Sequence, residues 1–153
     1  TVSFYSSVVS AYNASLVRSL PTEMGAARCF LAAVAIGGYA LFGGGFNESV
    51  GSLVDAYSSS LVRSTPTGLS QARYWLAAAS VGGYALFGGG VGASDFSTVD
   101  AYSSSLVRST PTGLTQPRNS LAAASVGGYA LFGGGGRGGN EVCFSVVDAY
   151  NLV

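Results

Sequence analysis

The chain has 153 residues, of which 48% are hydrophobic and only 9% are charged. This composition excludes a disordered chain, and it supplies far fewer charges than the roughly one quarter that is usual on the surface of a monomer. Seven arginines balance seven acidic residues, and there is no lysine, so nothing indicates binding to nucleic acid or to anionic membranes. We therefore expect one domain with some apolar surface buried against another copy.

The chain is built from a repeat of 45 residues. The sequence Gly-Tyr-Ala-Leu-Phe-Gly-Gly-Gly begins at Gly38, Gly83 and Gly128. A constant period of this length marks a repeat architecture. We assign a single domain over residues 1–153, with units of about 1–45, 46–90 and 91–135 and a partial fourth copy over 136–153. A second recurring segment, Val-Ser-Ala-Tyr in the first copy and Val-Asp-Ala-Tyr in the others, ends at Tyr12, Tyr57, Tyr102 and Tyr150.

One unit predicts four short strands, which we call a to d. One full set, which runs from the second unit into the third, is Trp75–Ser80, Tyr84–Phe87, Thr98–Tyr102 and Leu106 to about Ser109, with a variable loop between b and c. No apolar pattern has the period of a helix, and the charge-free run 29–46 is interpreted as a β-hairpin rather than a membrane span. The prediction is all-β.

Four-stranded units that repeat radially make a β-propeller. The small side chains of Leu-Ala-Ala-Ala fit a first strand near a crowded axis. A stacked β-solenoid is the alternative, but its repeats are usually shorter and would not need the Pro-Thr-Gly segments that follow strand d.

The repeat resembles the kelch family in three features. A hydrophobic strand ends in a double glycine, as at Phe87-Gly88-Gly89; a tyrosine follows on strand c; and an arginine opens strand a. The resemblance covers nearly the whole chain and implies a propeller of kelch-like blades. One departure is that leucine and valine stand on strand d, where kelch repeats usually carry tryptophan.

The sequence gives no candidate for catalysis, a cofactor or a metal. Histidine and lysine are absent, and the repeated aspartates Asp55, Asp100 and Asp148 occupy one repeated position, which indicates a structural role. Cys29 and Cys143 have no metal-ligand spacing, and we interpret them as two buried thiols, with a disulfide as the alternative.

A binding site is expected on the face where the b–c loops and the d–a connections emerge together. Aromatic side chains among mixed charges are typical of recognition surfaces. The repeated arginines of this set could line a ligand, but we favour a role in which they brace strand entry by bonding to carbonyl groups, and Trp75 could equally be a core residue. The candidates are Arg28, Asn47, Glu48, Arg73, Tyr74, Trp75, Asp95, Phe96, Arg118, Arg137 and Asn140.

Two further contacts are predicted from the repeat. A hairpin of strands c and d places Asp55 opposite Arg63 and Asp100 opposite Arg108. The double glycines are expected to let the tyrosine of strand c pack against bare backbone, so that Gly88→Val would destabilise the fold.

Three blades cannot close a ring, because propellers have about four to eight. We therefore predict a homodimer with six blades. Two copies of strand c compete for one place beside the strand d at residues 15–19, and we expect residues 145–150 of the second chain to take it, with Asp148 opposite Arg18.

We favour a non-enzymatic module of a secreted or cell-surface protein that binds proteins or peptides; the alternative is a carbohydrate-binding or accessory domain of a carbohydrate-active protein.

Overall fold

The described part of the chain is built from repeated antiparallel sheets of four strands, each of which we call a blade. The structure is a computed structural model that describes residues 5–138 and 142–152. Within these residues it contains strands and turns and no helix, which confirms the all-β prediction. The repeated four-stranded sheets are compatible with a propeller-like repeat.

Two blades are complete. The first consists of β3 (Ala32–Ile36), β4 (Tyr39–Gly43), β7 (Val54–Ser58) and β8 (Arg63–Ser64) in that order. The second consists of β9 (Ala77–Val81), β10 (Tyr84–Gly88), β11 (Val99–Ser103) and β12 (Arg108–Ser109). These are the predicted strands a to d, and their bounds lie within a few residues of the prediction. The turns form where Gly-Gly pairs supply positive φ, as at Gly82 and Gly83.

The third blade has three strands in the described part of the chain, namely β13 (Ala122–Val126), β14 (Tyr129–Gly133) and β17 (Val147–Asn151). Near the N-terminus, β1 (Ala11–Tyr12) and β2 (Arg18–Ser19) form a separate hairpin. Two small hairpins lie in the b–c loops: β5 (Phe46–Asn47) with β6 (Ser49–Val50), and β15 (Gly136–Arg137) with β16 (Val142–Cys143).

The hydrophobic core lies between neighbouring blades. The first strands β3, β9 and β13 are side by side, with β9 in the middle. One cluster joins blades one and two and includes Leu41, Leu76 and Phe87. The other joins blades two and three and includes Leu86 and Phe132. Each blade therefore depends on its neighbour to bury one of its faces.

The close approach at the double glycines is confirmed, but the predicted partner was wrong. A Cβ added to Gly88 would lie 2.8 Å from Cε1 of Phe132, and one added to Gly43 would lie 2.8 Å from Cε1 of Phe87. The ring that meets the bare backbone is thus the phenylalanine of the next blade, not the tyrosine of strand c. The reason is that the tyrosine ring packs against the phenylalanine of its own blade, as Tyr102 does with Phe87 at 5.9 Å between ring centroids.

The predicted pairing of the terminal copies of strand c is between two chains, and within one chain these strands have other neighbours. β2 pairs with the chain's own β1, with Tyr12 opposite Arg18, and β17 pairs with β14. The Asp148 carboxylate binds Arg118 at 2.8 Å rather than Arg18. Residues 145–150 therefore do not lie beside residues 15–19 in the single chain, because β1 already occupies that place.

Candidate binding face

The b–c loops and the d–a connections come together on one face, as the antiparallel order of the strands predicted. Single antiparallel bridges join the two kinds of loop in each unit: Cys29 with Phe46, Tyr74 with Val91, and Asn119 with Gly136. In each case the residue after the repeated arginine is tied to the loop that follows strand b. The same bridge therefore fixes the same part of the face three times.

An aromatic cluster occupies the side of this face nearest blades one and two. Tyr74 and Trp75 have ring centroids 4.9 Å apart, and Phe30 lies 5.4 Å from Trp75. Phe46 packs on Tyr74 at 5.4 Å, and Tyr5 lies at the edge of Phe46. Phe30 is 51% exposed, whereas the rings of Phe46, Tyr74 and Trp75 are half-buried. We call Phe30, Phe46, Tyr74 and Trp75 the aromatic cluster.

The backbone beneath the cluster has an unusual conformation. Phe30, Trp75 and Ser120 occupy the same position in the three units, and their φ angles are 57°, 52° and 54°. A bulky residue at positive φ is strained and persists only where its surroundings hold it. Here the Trp75 amide donates to the Phe30 carbonyl at 3.0 Å, and the Ser120 amide donates to the Trp75 carbonyl at 2.8 Å. These hydrogen bonds link the blades and hold the aromatic side chains in fixed directions.

The third unit replaces the aromatic pair by polar residues. The buried Asn119 amide donates to the Asp95 carboxylate, and the Gly138 amide donates to the other carboxylate oxygen of Asp95 at 3.2 Å. The Ser120 hydroxyl donates to the side-chain oxygen Oδ1 of Asn119 at 2.8 Å. The face therefore has an apolar side and a hydrogen-bonding side, and Asp95 connects the b–c loops of blades two and three.

The three repeated arginines are buried rather than spread over the face. Arg28, Arg73 and Arg118 are at most 5% exposed. The Arg28 guanidinium donates to the Gly44 and Phe42 carbonyls at 2.8 and 3.1 Å. Arg73 and Arg118 donate to the equivalent carbonyls of Phe87 and Phe132. These bonds are the ones that the bracing interpretation requires.

Each of these arginines also binds the repeated aspartate of its own blade, a contact that the sequence reasoning missed. The N···O distances are 2.9 Å for Arg28–Asp55, 2.8 Å for Arg73–Asp100 and 2.8 Å for Arg118–Asp148. A spacing of 27 or 30 residues gives no local signal for such a pair; only its recurrence in three units could have indicated it.

The predicted ion pairs between strands c and d form, so two aspartates bind two arginines each. The predicted register was wrong, because Tyr57 and Tyr102 are the residues opposite Arg63 and Arg108. Asp55 lies 2.9 Å from Arg63, and Asp100 lies 3.9 Å from Arg108. Burial alone would raise the pKa of the Asp55 carboxyl, but hydrogen bonds from Arg63, the Gly25 amide and Arg28 outweigh it and lower that pKa. Burial lowers the pKa of Arg73, and the Asp100 carboxylate opposes that change. This network holds the blades rather than a ligand.

The other candidate residues lie on the b–c loops. Asn47 is half-buried, and Glu48 is exposed at a turn with φ of 63°. Phe96 is half-buried and its amide donates to the Gly90 carbonyl at 2.8 Å, while Arg137 is exposed on β15. Asn140 lies outside the described residues. Phe30 and Phe46, which the sequence reasoning did not select, are the additional members of the site.

The two cysteines are free, and the expectation that both are buried was wrong. Cys29 is half-buried and Cys143 is exposed. Cys143 lies on β16, where it pairs with Gly136 of β15. In the described residues no three His, Cys, Asp or Glu side chains come together in a way that could hold a metal ion. The described part also has no helix with the length and hydropathy needed to cross a membrane.

A scan against protein-family models gives no match to the chain, and no curated protein is significantly similar to it in sequence.

Proposed function

We propose that the protein is a non-enzymatic module that recognises a protein or peptide through the aromatic cluster and the polar groups around Asp95. The supporting observation is the aromatic cluster, where four rings from two units are held together on one exposed face. Recognition surfaces are enriched in tryptophan and tyrosine, and they gain affinity when side chains are held in place before binding. The strained backbone at Phe30 and Trp75, with its hydrogen bond between units, supplies that order.

The shape of the cluster favours a peptide over a sugar. Its neighbouring rings are tilted by 40° to 63° to one another, so they present ridges and gaps rather than one flat platform. Ridges and gaps fit the side chains of a peptide, and the half-buried Asp95 carboxylate supplies hydrogen-bond acceptors on the same face. The alternative, a carbohydrate-binding or accessory domain, depends on stacking of a sugar against Phe30, the most exposed ring of the aromatic cluster.

The test is to select random peptides displayed on phage against the purified protein, with a glycan array in parallel. Isothermal titration calorimetry then compares the best peptides on three proteins: wild type, Phe30→Ala and Tyr129→Ala. Tyr129 is the matched control, since it is 46% exposed but lies next to the a–b turn. This is the end of β14 that points away from the b–c loops and the binding face. We expect Phe30→Ala to weaken the peptide by about tenfold or more and Tyr129→Ala to leave it unchanged.

Three results would contradict the proposal. If no peptide is enriched, or if Tyr129→Ala weakens binding as much as Phe30→Ala does, the aromatic cluster is not the recognition surface. If only glycans bind and Phe30→Ala abolishes that binding, the carbohydrate-binding alternative replaces the first proposal.

The proposed architecture is a kelch-like propeller that two chains complete. The three blades of one chain are too few for a closed ring, and two chains related by a two-fold axis give six blades, with two-fold symmetry the most common among oligomers. The supporting observation is the exposure of the third blade, where Val126 is 60% and Val147 62% exposed. Multi-angle light scattering at micromolar concentration tests this: a dimer mass is expected, and a monomer mass rejects it.

A further inference from the structure

The two junctions between blades use the same set of contacts. The Phe87 ring packs on Gly43 and the Phe132 ring packs on Gly88. The Gly45 amide donates to the Arg73 carbonyl and the Gly90 amide donates to the Arg118 carbonyl, both at 2.9 Å. The bonds from Trp75 to Phe30 and from Ser120 to Trp75 follow the same rule. Every junction therefore joins one kind of surface on the earlier blade to another kind on the later blade.

The first and third blades carry the two unmatched halves of that junction. On the third blade, a Cβ added to Gly133 would meet only Val147, at 3.6 Å, so the place of a phenylalanine ring is open. On the first blade, Phe42 is partly exposed, whereas Phe87 and Phe132 are fully buried.

The same complementarity holds for the backbone. Within the described residues, the structure gives no partner for the Gly135 amide and the Ser120 carbonyl on the third unit. It gives none for the Arg28 carbonyl and the Phe30 amide on the first. Each open donor thus has an open acceptor of the matching kind at the other end of the chain.

The N-terminal segment stands where the end of a preceding blade belongs. The backbone amides of Arg73 and Arg118 donate to the Gly51 and Phe96 carbonyls of the preceding blade. The backbone amide of Arg28 donates instead to the Ser6 carbonyl, at 3.1 Å. Counted along the repeat, the equivalent of Ser6 at the other end of the chain is Phe144. Segments 6–12 and 144–150 read Ser-Ser-Val-Val-Ser-Ala-Tyr and Phe-Ser-Val-Val-Asp-Ala-Tyr, and five of the seven positions are identical. The N-terminal segment is therefore a close copy of the strand that a second chain would bring.

The copy lacks the charge that holds the other blades together. Strand d carries Arg63 and Arg108 in the complete blades, and each binds the aspartate of strand c. The N-terminal hairpin keeps Arg18 but has Ser10 at the aspartate position, and Arg18 forms no salt bridge to any described acidic side chain. Asp148, in turn, binds Arg118 and has no strand d beside it in the described chain.

We propose that residues 6–12 are a placeholder that a second copy of the chain displaces, so that β17 of the partner pairs with β2. This inference rests on the proposed two-chain ring and specifies how it closes. The exchange costs the two residue pairs of the β1–β2 hairpin and the hydrogen bonds that the Ser6 and Ser7 carbonyls accept from the Arg28 and Met24 amides. It leaves β17 paired with β14, adds a fourth strand to the third blade and brings Asp148 to Arg18. It also places Phe42 on Gly133 of the partner.

Two substitutions test the interface at positions whose described side-chain contacts within the chain are few. Gly133→Val fills the open place for the Phe42 ring, and Gly133 has no positive φ that would strain a side chain. Arg18→Glu places like charges beside each other at the proposed contact with Asp148. Ser60→Val is the control, because Ser60 is exposed in the turn between β7 and β8 and no described hydrogen bond involves its hydroxyl. A fourth protein lacks residues 1–9.

Sedimentation equilibrium measures the dimer dissociation constant of each protein, and thermal unfolding at high dilution checks that each chain folds. We expect Gly133→Val to raise the constant by about tenfold or more. Arg18→Glu should raise it severalfold at low salt and less at high salt, because exposed charges are screened. Ser60→Val should leave it unchanged, and deletion of residues 1–9 should leave it unchanged or lower it.

The outcomes separate this inference from the proposal beneath it. A wild-type chain that stays monomeric, or that forms a trimer, overturns the two-chain ring and the strand exchange together. A dimer that Gly133→Val and Arg18→Glu do not weaken, or that deletion of residues 1–9 abolishes, leaves two-chain assembly standing and overturns the exchange.

Discussion

The second and third blades contain the same fifteen residues in very different surroundings. Residues 76–90 and 121–135 both read Leu-Ala-Ala-Ala-Ser-Val-Gly-Gly-Tyr-Ala-Leu-Phe-Gly-Gly-Gly. Val81 is 7% exposed, but its equivalent Val126 is 60% exposed; Ala79 is 4% exposed, while Ala124 is exposed. Both segments form the same hairpin in the same register. Local sequence therefore determines the hairpin, and the neighbouring blade alone determines the burial.

The largest expected difference between the two blades concerns their aspartates. Asp100 is fully buried and binds Arg73 and Arg108, whereas the Asp148 side chain is 10% exposed and binds only Arg118 among the described arginines. Removing one member of a buried ion pair typically costs about 3–5 kcal/mol. We expect Asp100→Asn to lower the free energy of unfolding by about that amount, and Asp148→Asn by clearly less. Urea unfolding of both variants measures this, and equal losses would contradict the comparison.

Glycine to valine at the same position of the two identical segments should lower the free energy of unfolding in the second blade and leave it unchanged in the third. Gly88→Val forces a side chain into the Phe132 ring, which lies 2.8 Å from the added Cβ, and overpacking of this kind costs about 1–3 kcal/mol. Gly133→Val has no such ring beside it in the single chain. Urea unfolding of the two variants at high dilution should therefore show a loss for Gly88→Val alone. An unchanged free energy of unfolding for Gly88→Val would mean that the Phe132 ring can move aside at little cost.

A pH titration extends the comparison to two tyrosines of strand c, the buried Tyr102 and the half-buried Tyr150. Burial, and next the Asp148 carboxylate, raise the pKa of Tyr150 to about 12 from its ordinary value of 10.0, and burial also raises the pKa of Tyr102. A folded-state pKa above the unfolded value stabilises the fold below pH 10, and this contribution is lost as the pH rises toward 12.

We therefore expect stability to fall above pH 10, the ordinary tyrosine value, with a shallower fall in Tyr150→Phe than in wild type. Because this variant also loses the hydrogen bond from the Tyr150 hydroxyl to Thr112, the measured quantity is the slope of melting temperature against pH, not its absolute value. An unchanged slope would mean that Tyr150 ionises in the folded protein as easily as in the unfolded chain.

The smallest effect is expected at the turns between strands c and d. Leu16 and Leu106 have φ of 59° and 61°, a conformation that favours glycine. Leu16 is 80% exposed, whereas Leu106 packs against the core. Leu16→Gly should therefore stabilise the chain by up to about 1 kcal/mol, and Leu106→Gly should be neutral or destabilising. Differential scanning calorimetry distinguishes the two, and a lower melting temperature for Leu16→Gly would contradict the strain argument.

The 45-residue period was enough to predict the strands, their antiparallel order and the pairs Asp55–Arg63 and Asp100–Arg108, because these are local features of a hairpin. It could not predict that the ring on Gly88 comes from the next blade, since that contact depends on how blades stack. The positive φ of Leu16, Phe30 and Trp75 gives no signal in composition, because leucine and aromatic residues normally avoid that region.

Part of the binding face could be predicted from the sequence. Tyr74 and Trp75 were found as aromatic residues at an asymmetric position of the repeat. Phe30 and Phe46 were missed, since they lie far from Tyr74 and Trp75 in the sequence and only the packing of the loops brings the four rings close.

The uniform junction between blades also has a consequence for how such a chain can change over generations. Because each unit meets the next through the same ring, the same glycine and the same backbone bonds, gaining or losing one whole unit leaves every remaining junction intact. Growth by tandem duplication then requires no new interface, and mutations accumulate freely only where units are not equivalent. In this chain those places are the loops that carry Phe46, Asp95 and Arg137, so the scaffold could stay constant while the binding face diversified.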